Sequence, residues 1–241
     1  MPILAIDAGN TRIKWGLWED RGFIAQGAIL SAHAEQLADA LHALARPQQS
    51  IACSVASMQV RTRIEQTLAP WGGGPQWVVS RREQCGVVSH YAVPEQLGAD
   101  RWAALIGARA RDPGACVVVN AGTAVTIDAL TAQGEFLGGL ILPGPELMAE
   151  ALAAGTAGLP RLPGRFEAFP TGTANAIFSG AVQAVCGAIE RIERNLIAAG
   201  QAEPRVVVSG GSGDLVAARL GRPVTSAPDL VLEGLVAIAR S

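Results

Sequence analysis

Three short stretches of the 241-residue chain carry residue types that could do chemistry. The first is Asp7-Ala8-Gly9-Asn10-Thr11, which follows the apolar run Ile3–Ile6 and leads into Arg12, Ile13 and Lys14. Gly9 lets the backbone approach a ligand closely, and Asn10 and Thr11 add side-chain donors beside backbone N–H groups that can converge on an anion. Asp7 repels such an anion unless a cation lies between them, so a phosphate at this turn implies Mg2+, held by Asp7 directly or through water. A surface hairpin would use the same Gly and Asn simply to turn. The second stretch, Asn120-Ala121-Gly122-Thr123, repeats the pattern 113 residues downstream, behind Val117–Val119 and ahead of Thr126 and Asp128. Two such units, about one small domain apart, imply an internal duplication in which each half presents a phosphate-facing turn to a shared cleft. The third is Gly98-Ala99-Asp100-Arg101, where a polar loop feeds an apolar helix. Asp100 there is either a helix N-cap or a carboxylate placed for catalysis.

Lys14 is the only lysine among 19 basic residues. It is either an exposed strand residue or a compact charge for a phosphate.

These residues need strands that end in turns and a helix that begins at Asp100. Ile13–Trp18 and Phe23–Leu30 have strand character around the turn Glu19–Gly22. Ala34–Ala45 changes period, with Leu37, Leu41 and Leu44 on one helical face until Pro47. Ile51–Val55 is a buried strand, Val60, Ile64 and Leu68 mark a helix stopped by Pro70 and Gly72–Gly74, and Gln76–Ser80 is another strand. Ser89–Ala99 is irregular, and the helix carrying Asp100 runs to Ala110. Asp112-Pro113-Gly114 is the clearest linker, dividing the chain into halves 1–112 and 113–241.

In the second half, the repeated turn leads through Ile127–Leu130 to Gly138-Gly139 and Pro143-Gly144, then to a helix from Glu146 to Ala153. Thr156–Thr173 is rich in Pro and Gly and reads as a long surface loop. Ala174–Ala199 is the longest helix, and its stripe of Ile177, Ala181, Val185, Ile189, Ile192 and Leu196 faces either the core or another subunit. Arg205–Ser209 is a strand ending in Gly210-Gly211, and a helix from Pro228 to Ala239 closes the chain. The fold class is α/β, with mixed sheets and helices packed on them.

A hydrophobic fraction of 49% against 17% charged residues fits a compact soluble protein, and a net charge of −2 without any basic run excludes nucleic-acid binding by bulk electrostatics. No apolar stretch approaches membrane-spanning length and no leader precedes the first strand, so the expected location is the cytoplasm. Cys53, Cys85, Cys116 and Cys186 lack C-x-x-C spacing and read as free thiols of a reducing compartment. With His33, His42 and His90 equally scattered, no zinc chemistry is expected. The chain also lacks G-x-x-x-x-G-K-[ST], G-x-G-x-x-G after the first strand, and G-x-S-x-G.

Two phosphate-gripping hairpins are the layout of the actin, sugar-kinase and heat-shock-chaperone ATPases. More specifically, the sequence resembles the type III pantothenate kinases, the family that includes the Bvg accessory factor. The resemblance rests on Asp7–Thr11; Tyr91-x-x-Pro-x-x-Leu-Gly-Ala-Asp-Arg101; Gly122–Thr126 with Asp128; Gly138-Gly-x-Ile-x-Pro-Gly144; Thr173; Ser209-Gly-Gly211; and Pro228-Asp-Leu-x-Leu-x-Gly-Leu235, in that order.

This resemblance implies a duplicated two-domain fold and a homodimer that uses ATP and Mg2+ to phosphorylate pantothenate to 4′-phosphopantothenate, the first step of coenzyme A synthesis. It implies Asp100 as general base, Asp7, Ala8, Gly9, Asn10, Thr11, Arg12, Ile13, Lys14 and Thr123 at ATP, and Tyr91, Gly98, Ala99, Asp100 and Arg101 at pantothenate. Thr173 would complete the pantothenate site from the partner subunit. One departure stands out. Asn120 occupies a position where the family usually has Asp, associated with an activating potassium or ammonium ion. Asn can coordinate the ion but brings no charge, so the expectation is a weakened potassium requirement. The competing expectations are a related kinase for a sugar or acetate, and a non-catalytic nucleotide-binding regulator of the same fold.

Overall fold

The computed structural model describes residues 2–156, 158–159 and 162–241. It divides into two units, one of Met1–Pro113 with Asp229–Ser241 and the other of Gly114–Pro228.

The first unit opens with β1 (Ile3–Ala8), β2 (Arg12–Glu19) and β3 (Gly22–Leu30). All of β1 except Asp7 is buried, the mark of a central strand covered on both faces, whereas β3 alternates half-buried and exposed residues as an edge strand does. A 3-10 turn over Ser31–Gln36 leads to the short α1 (Leu37–Leu41), where the period of the sequence predicts one longer helix. Residues Ala34–Gln36 belong to the 3-10 stretch, in which His33 has non-helical φ and ψ, and α1 stops at Leu41. β4 (Gln49–Ser54), α2 (Met58–Leu68) and β5 (Gln76–Trp77) follow. Val60, Ile64 and Leu68 are the buried face of α2, as their spacing requires.

A small hairpin of β6 (Glu83–Gln84) and β7 (Val87–Ser89) lies just ahead of the stretch read as irregular. Its two-residue turn, Cys85-Gly86, has positive φ at both positions, which matches the right-handed twist of the strands. The sheet order is β3-β2-β1-β4-β5, antiparallel between β1 and its hairpin partner and parallel from β1 to β4 and β5. On one face of the sheet, Leu4, Ile6, Ala8, Ile13 and Trp15 pack with Leu37, Leu41, Ile64 and Leu68. α3 (Ala99–Arg111) completes this stretch, with every residue from Arg101 to Ala108 buried.

The second unit contains β8 (Cys116–Ala121), β9 (Ala124–Leu130), β10 (Glu135–Pro143), α4 (Pro145–Gly155), α5 (Thr173–Ala198), β11 (Arg205–Ser209), α6 (Gly213–Ala217) and β12 (Thr225–Ser226). Its strands lie in the order β10-β9-β8-β11-β12, with β8 antiparallel to β9 and parallel to β11. That is the order and polarity of the first sheet, so the duplication suggested by two similar turns extends to these five strands. Of the loop expected over Thr156–Thr173, residues 157, 160 and 161 lie outside the described residues, and the other residues up to Gly172 have no helix or strand. The stripe on α5 is largely core, since Ala181, Val185, Ile189 and Leu196 are buried.

The chain then returns to the first unit as α7 (Leu230–Ala239). The division of the sequence at residue 112 puts this helix in the second half, and here the structure differs. α7 packs along α3 and against β1. Gly107 and Gly234 make the crossing possible, because a Cβ on Gly234 would lie 1.8 Å from the Ala103 carbonyl oxygen and one on Gly107 would lie 2.4 Å from that of Leu230. Glu233 also pairs with Arg111 at the end of α3.

Candidate active site

Side chains alternate between faces along β1, so Leu4, Ile6 and Ala8 enter the core on the α1 and α2 side while Asp7 points to the opposite face, where α7 packs. In register with Asp7 are Lys14 on β2 and Cys53 on β4. The Cys53 thiol donates to Oδ1 of Asp7 at 3.4 Å. The Asp7 carboxyl has its pKa raised to about 6, chiefly by loss of water and then by the charge of Asp100, against the Cys53 hydrogen bond and the Lys14 charge. Asp7 and Asp100 therefore share one poorly solvated corner.

Asp100 is the second residue of α3, whose N-cap is Gly98. Asp100 thus lies inside the helix and is not its N-cap, the position that Gly98 fills without any side-chain bond. Its Oδ1 accepts the backbone N–H of Arg101 at 2.9 Å and folds back over Gly98, where a Cβ would come within 2.6 Å of it. Burial raises the Asp100 pKa, opposed by the Arg101 N–H and guanidinium. The glycine two residues ahead of the acid thus has a steric reason.

Arg101 is buried, an unusual place for a guanidinium unless it has partners. Its Nη1 donates to the Tyr91 hydroxyl at 3.1 Å, with Cζ 5.8 Å from the ring centroid. The loop bearing Tyr91 is tied down by Arg82, which donates to the carbonyls of Ser89 at 2.6 Å and Ala92 at 3.3 Å. Ser80 donates to the Leu97 carbonyl at 2.8 Å and secures the approach to α3. Tyr91, Gly98, Ala99, Asp100 and Arg101 are accordingly brought together at one helix start.

The first turn is closed by Gly9 N–H to the Arg12 carbonyl at 3.0 Å. Ser31, which the sequence reading passes over, holds it from outside: its hydroxyl donates to the Gly9 carbonyl at 2.7 Å and its N–H to the Thr11 carbonyl at 3.0 Å. Asn10, Thr11 and Arg12 are exposed and Lys14 is half-buried. Ala8 and Ile13 have their side chains in the core, so only their backbones are available to a ligand. A groove of about 760 Å³ beside the turn includes Asn10, Ser31, Glu35 and Arg63 but neither Asp7 nor Asp100, and so is not the reaction centre.

In the second unit, Asn120 stands in register with Thr126 and Ser209, as Asp7 does with Lys14 and Cys53. Gly122 N–H closes the turn on the Ala124 carbonyl at 3.1 Å, Gly144 N–H meets the Thr123 carbonyl at 2.7 Å, and Ser212 N–H meets that of Ala121 at 2.9 Å. Gly210 has φ of +93° and would place a Cβ 2.5 Å from the Ala121 carbonyl oxygen, so both its conformation and its space demand glycine. Thr123 is exposed at this turn, and Thr173 is exposed at the first residue of α5. Among the described residues no group of three or more His, Cys, Asp and Glu could hold a metal by itself. A divalent cation held by one carboxylate and completed by phosphate and water fits Asp7, whose poorly solvated carboxyl has the charge of Asp100 nearby.

Comparison with known proteins bears on the fold and the family. Among solved structures, a Baf family transcriptional activator of Campylobacter jejuni superposes with a TM-score of 0.63 at 20% identity, covering 98% of this chain and 97% of that one. MreB 5 of Spiroplasma citri, bound to AMPPNP, superposes with a TM-score of 0.51 at 8% identity, covering 97% and 94%. The fold is therefore like that of actin, the sugar kinases and the heat-shock chaperones, with mixed sheets and helices packed on them. The type III pantothenate kinase of Aromatoleum aromaticum is 46% identical over 238 residues, 99% of this chain and 98% of that one. That of Nitrosospira multiformis is 42% identical over 238 residues, 99% and 91% of the two chains. The model of the same family matches residues 3–195. The chain belongs to the type III pantothenate kinase family.

Proposed function

We propose that the protein transfers the γ-phosphoryl group of ATP to the primary hydroxyl of pantothenate, giving 4′-phosphopantothenate and ADP, the first step of coenzyme A synthesis in the cytoplasm. The observation that carries this reading is the pairing of Asp7 and Asp100 in one desolvated corner, beside the buried Arg101 and Tyr91.

Asp100 is the general base. Its raised pKa makes it a better proton acceptor than a solvated carboxylate, and in accepting the hydroxyl proton it also aims the alcohol oxygen at phosphorus. The new bond joins that oxygen to the γ-phosphorus, the bond to the ADP oxygen breaks, and the proton leaves Asp100 for solvent. Tyr91, Gly98, Ala99 and Arg101 surround the pantothenate, with the Arg101 guanidinium suited to its carboxylate. Thr173 of the partner subunit in a homodimer completes that site. The backbone and side chains of Asp7–Lys14, together with Thr123, hold ATP. Asp7 would hold Mg2+, directly or through water, and the ion supplies the charge that neutralises the phosphates. Asn120 supports a monovalent cation site that lacks a carboxylate charge, so potassium activates less than an acid at this position would allow.

The reading is tested by incubating the purified protein with ATP, Mg2+ and potassium and following ADP release and product mass. Pantothenate-dependent ADP release with a product one phosphoryl group heavier is expected. Release that follows a sugar or acetate instead, or nucleotide binding without any turnover, overturns it.

A further inference from the structure

Cys53 is fully buried and reads from sequence as an inert thiol of the core. In the structure it occupies the ladder position next to Asp7 across the parallel pair of β1 and β4, and it donates to Asp7 Oδ1 at 3.4 Å. The duplicated fold offers an internal comparison. The same ladder position beside Asn120 holds Ser209, another buried side chain with a hydrogen to donate, which goes to the Pro228 carbonyl at 3.4 Å.

We propose that Cys53 is a positioning residue for Asp7: its thiol engages Oδ1 and leaves Oδ2 as the oxygen presented to the divalent cation that accompanies ATP. The proposal rests on the kinase reading above. A carboxylate free to rotate would share the cation between its two oxygens and lose the single geometry that phosphoryl transfer requires. Cys186 supplies the control, because it is also buried but its sulfur lies 3.9 Å from the Val216 carbonyl, in the other unit from Asp7.

The test compares wild type with Cys53→Ala, Cys53→Ser and Cys186→Ala. In the ligand-free proteins, the infrared S–H stretching band should contain a component shifted to lower frequency that disappears in Cys53→Ala and persists in Cys186→Ala. By calorimetry with a non-hydrolysable ATP analogue, Cys53→Ala should weaken binding in the presence of Mg2+ about five-fold, while leaving binding in EDTA unchanged. Cys53→Ser should return to within about two-fold of wild type, because its hydroxyl also donates. Cys186→Ala should lower the unfolding midpoint as Cys53→Ala does, without touching Mg2+-dependent binding. Should Cys53→Ala fail to fold, Cys53→Val fills the space without a donor and takes its place. Unchanged Mg2+-dependent binding in the donor-free variant, failure of Cys53→Ser to restore it, or absence of the shifted band overturns the proposal. A wild type that shows the band and the binding difference but makes no phosphorylated pantothenate overturns the kinase reading alone.

Discussion

The carboxyls of Asp7 and Asp100 lie near enough that the charge on Asp100 helps to raise the pKa of Asp7 to about 6, although they come from residues far apart in the chain. One stands near the end of a central strand and the other in the first turn of a helix. In the ligand-free protein the pair is electrostatically costly.

That cost has a definite pH dependence in the ligand-free protein. The folded pKa of Asp7 lies above its ordinary value of 3.8, so between the two values the folded state binds more protons than the unfolded state. Stability therefore falls as pH rises from about 4 to about 6, and above that the penalty is constant, on the order of 2–3 kcal/mol. Asp7→Asn should remove this decline and be the more stable protein at neutral pH, while losing turnover. Urea denaturation of both proteins in EDTA across this range measures the difference, and equal pH dependence would contradict it.

Asp100→Asn should lower kcat by about 10²–10⁴-fold, the range of a lost general base. It should leave the unfolding midpoint equal to or above that of wild type, because a poorly solvated charge is removed. Steady-state kinetics and a thermal melt check both halves of the statement, and a variant that unfolds early would point to a structural role.

Gly98→Ala is expected to act on the acid rather than on the fold. The added methyl would meet Asp100 Oδ1, the end of a movable side chain, within 2.6 Å. The carboxyl is displaced, kcat falls about ten-fold or more, and stability changes by less than about 1 kcal/mol. A normal kcat would show that the carboxyl position is not critical.

Gly234→Ala has the opposite balance. Its methyl would meet the backbone of Ala103, which cannot rotate away, so α7 and α3 must separate. The expected loss is at least about 3 kcal/mol of stability. Chemical denaturation decides, with a loss below about 1 kcal/mol counting against the tight crossing.

Asn120→Asp should strengthen activation by potassium relative to wild type, since it adds the charge that the present residue lacks. Turnover titrated against potassium chloride, with the ionic strength held constant, measures it. Identical titrations of the two proteins would remove Asn120 from any cation site.

Much of this arrangement was legible in the chain because it is local. The strand–turn–strand units around Gly9 and Gly122 follow from apolar runs that end in turn residues, and α5 follows from a long helical stripe. The placement of α7 was not legible, since a glycine at position 234 says nothing about which helix it will touch. The pairing of Cys53 with Asp7 depends on strand register across 46 residues, and no local pattern encodes that. The Cys85-Gly86 hairpin was passed over because its strands have only two and three residues, too few to show a period.

The path of α7 also bears on how the molecule comes into being. During synthesis, residues 114–228 emerge from the ribosome before the helix that packs on α3, so the Asp100-bearing segment must wait, with an apolar flank open to water, while the whole second unit is made. The helix that carries Asp100 thus gains its cover only once α7 has been made.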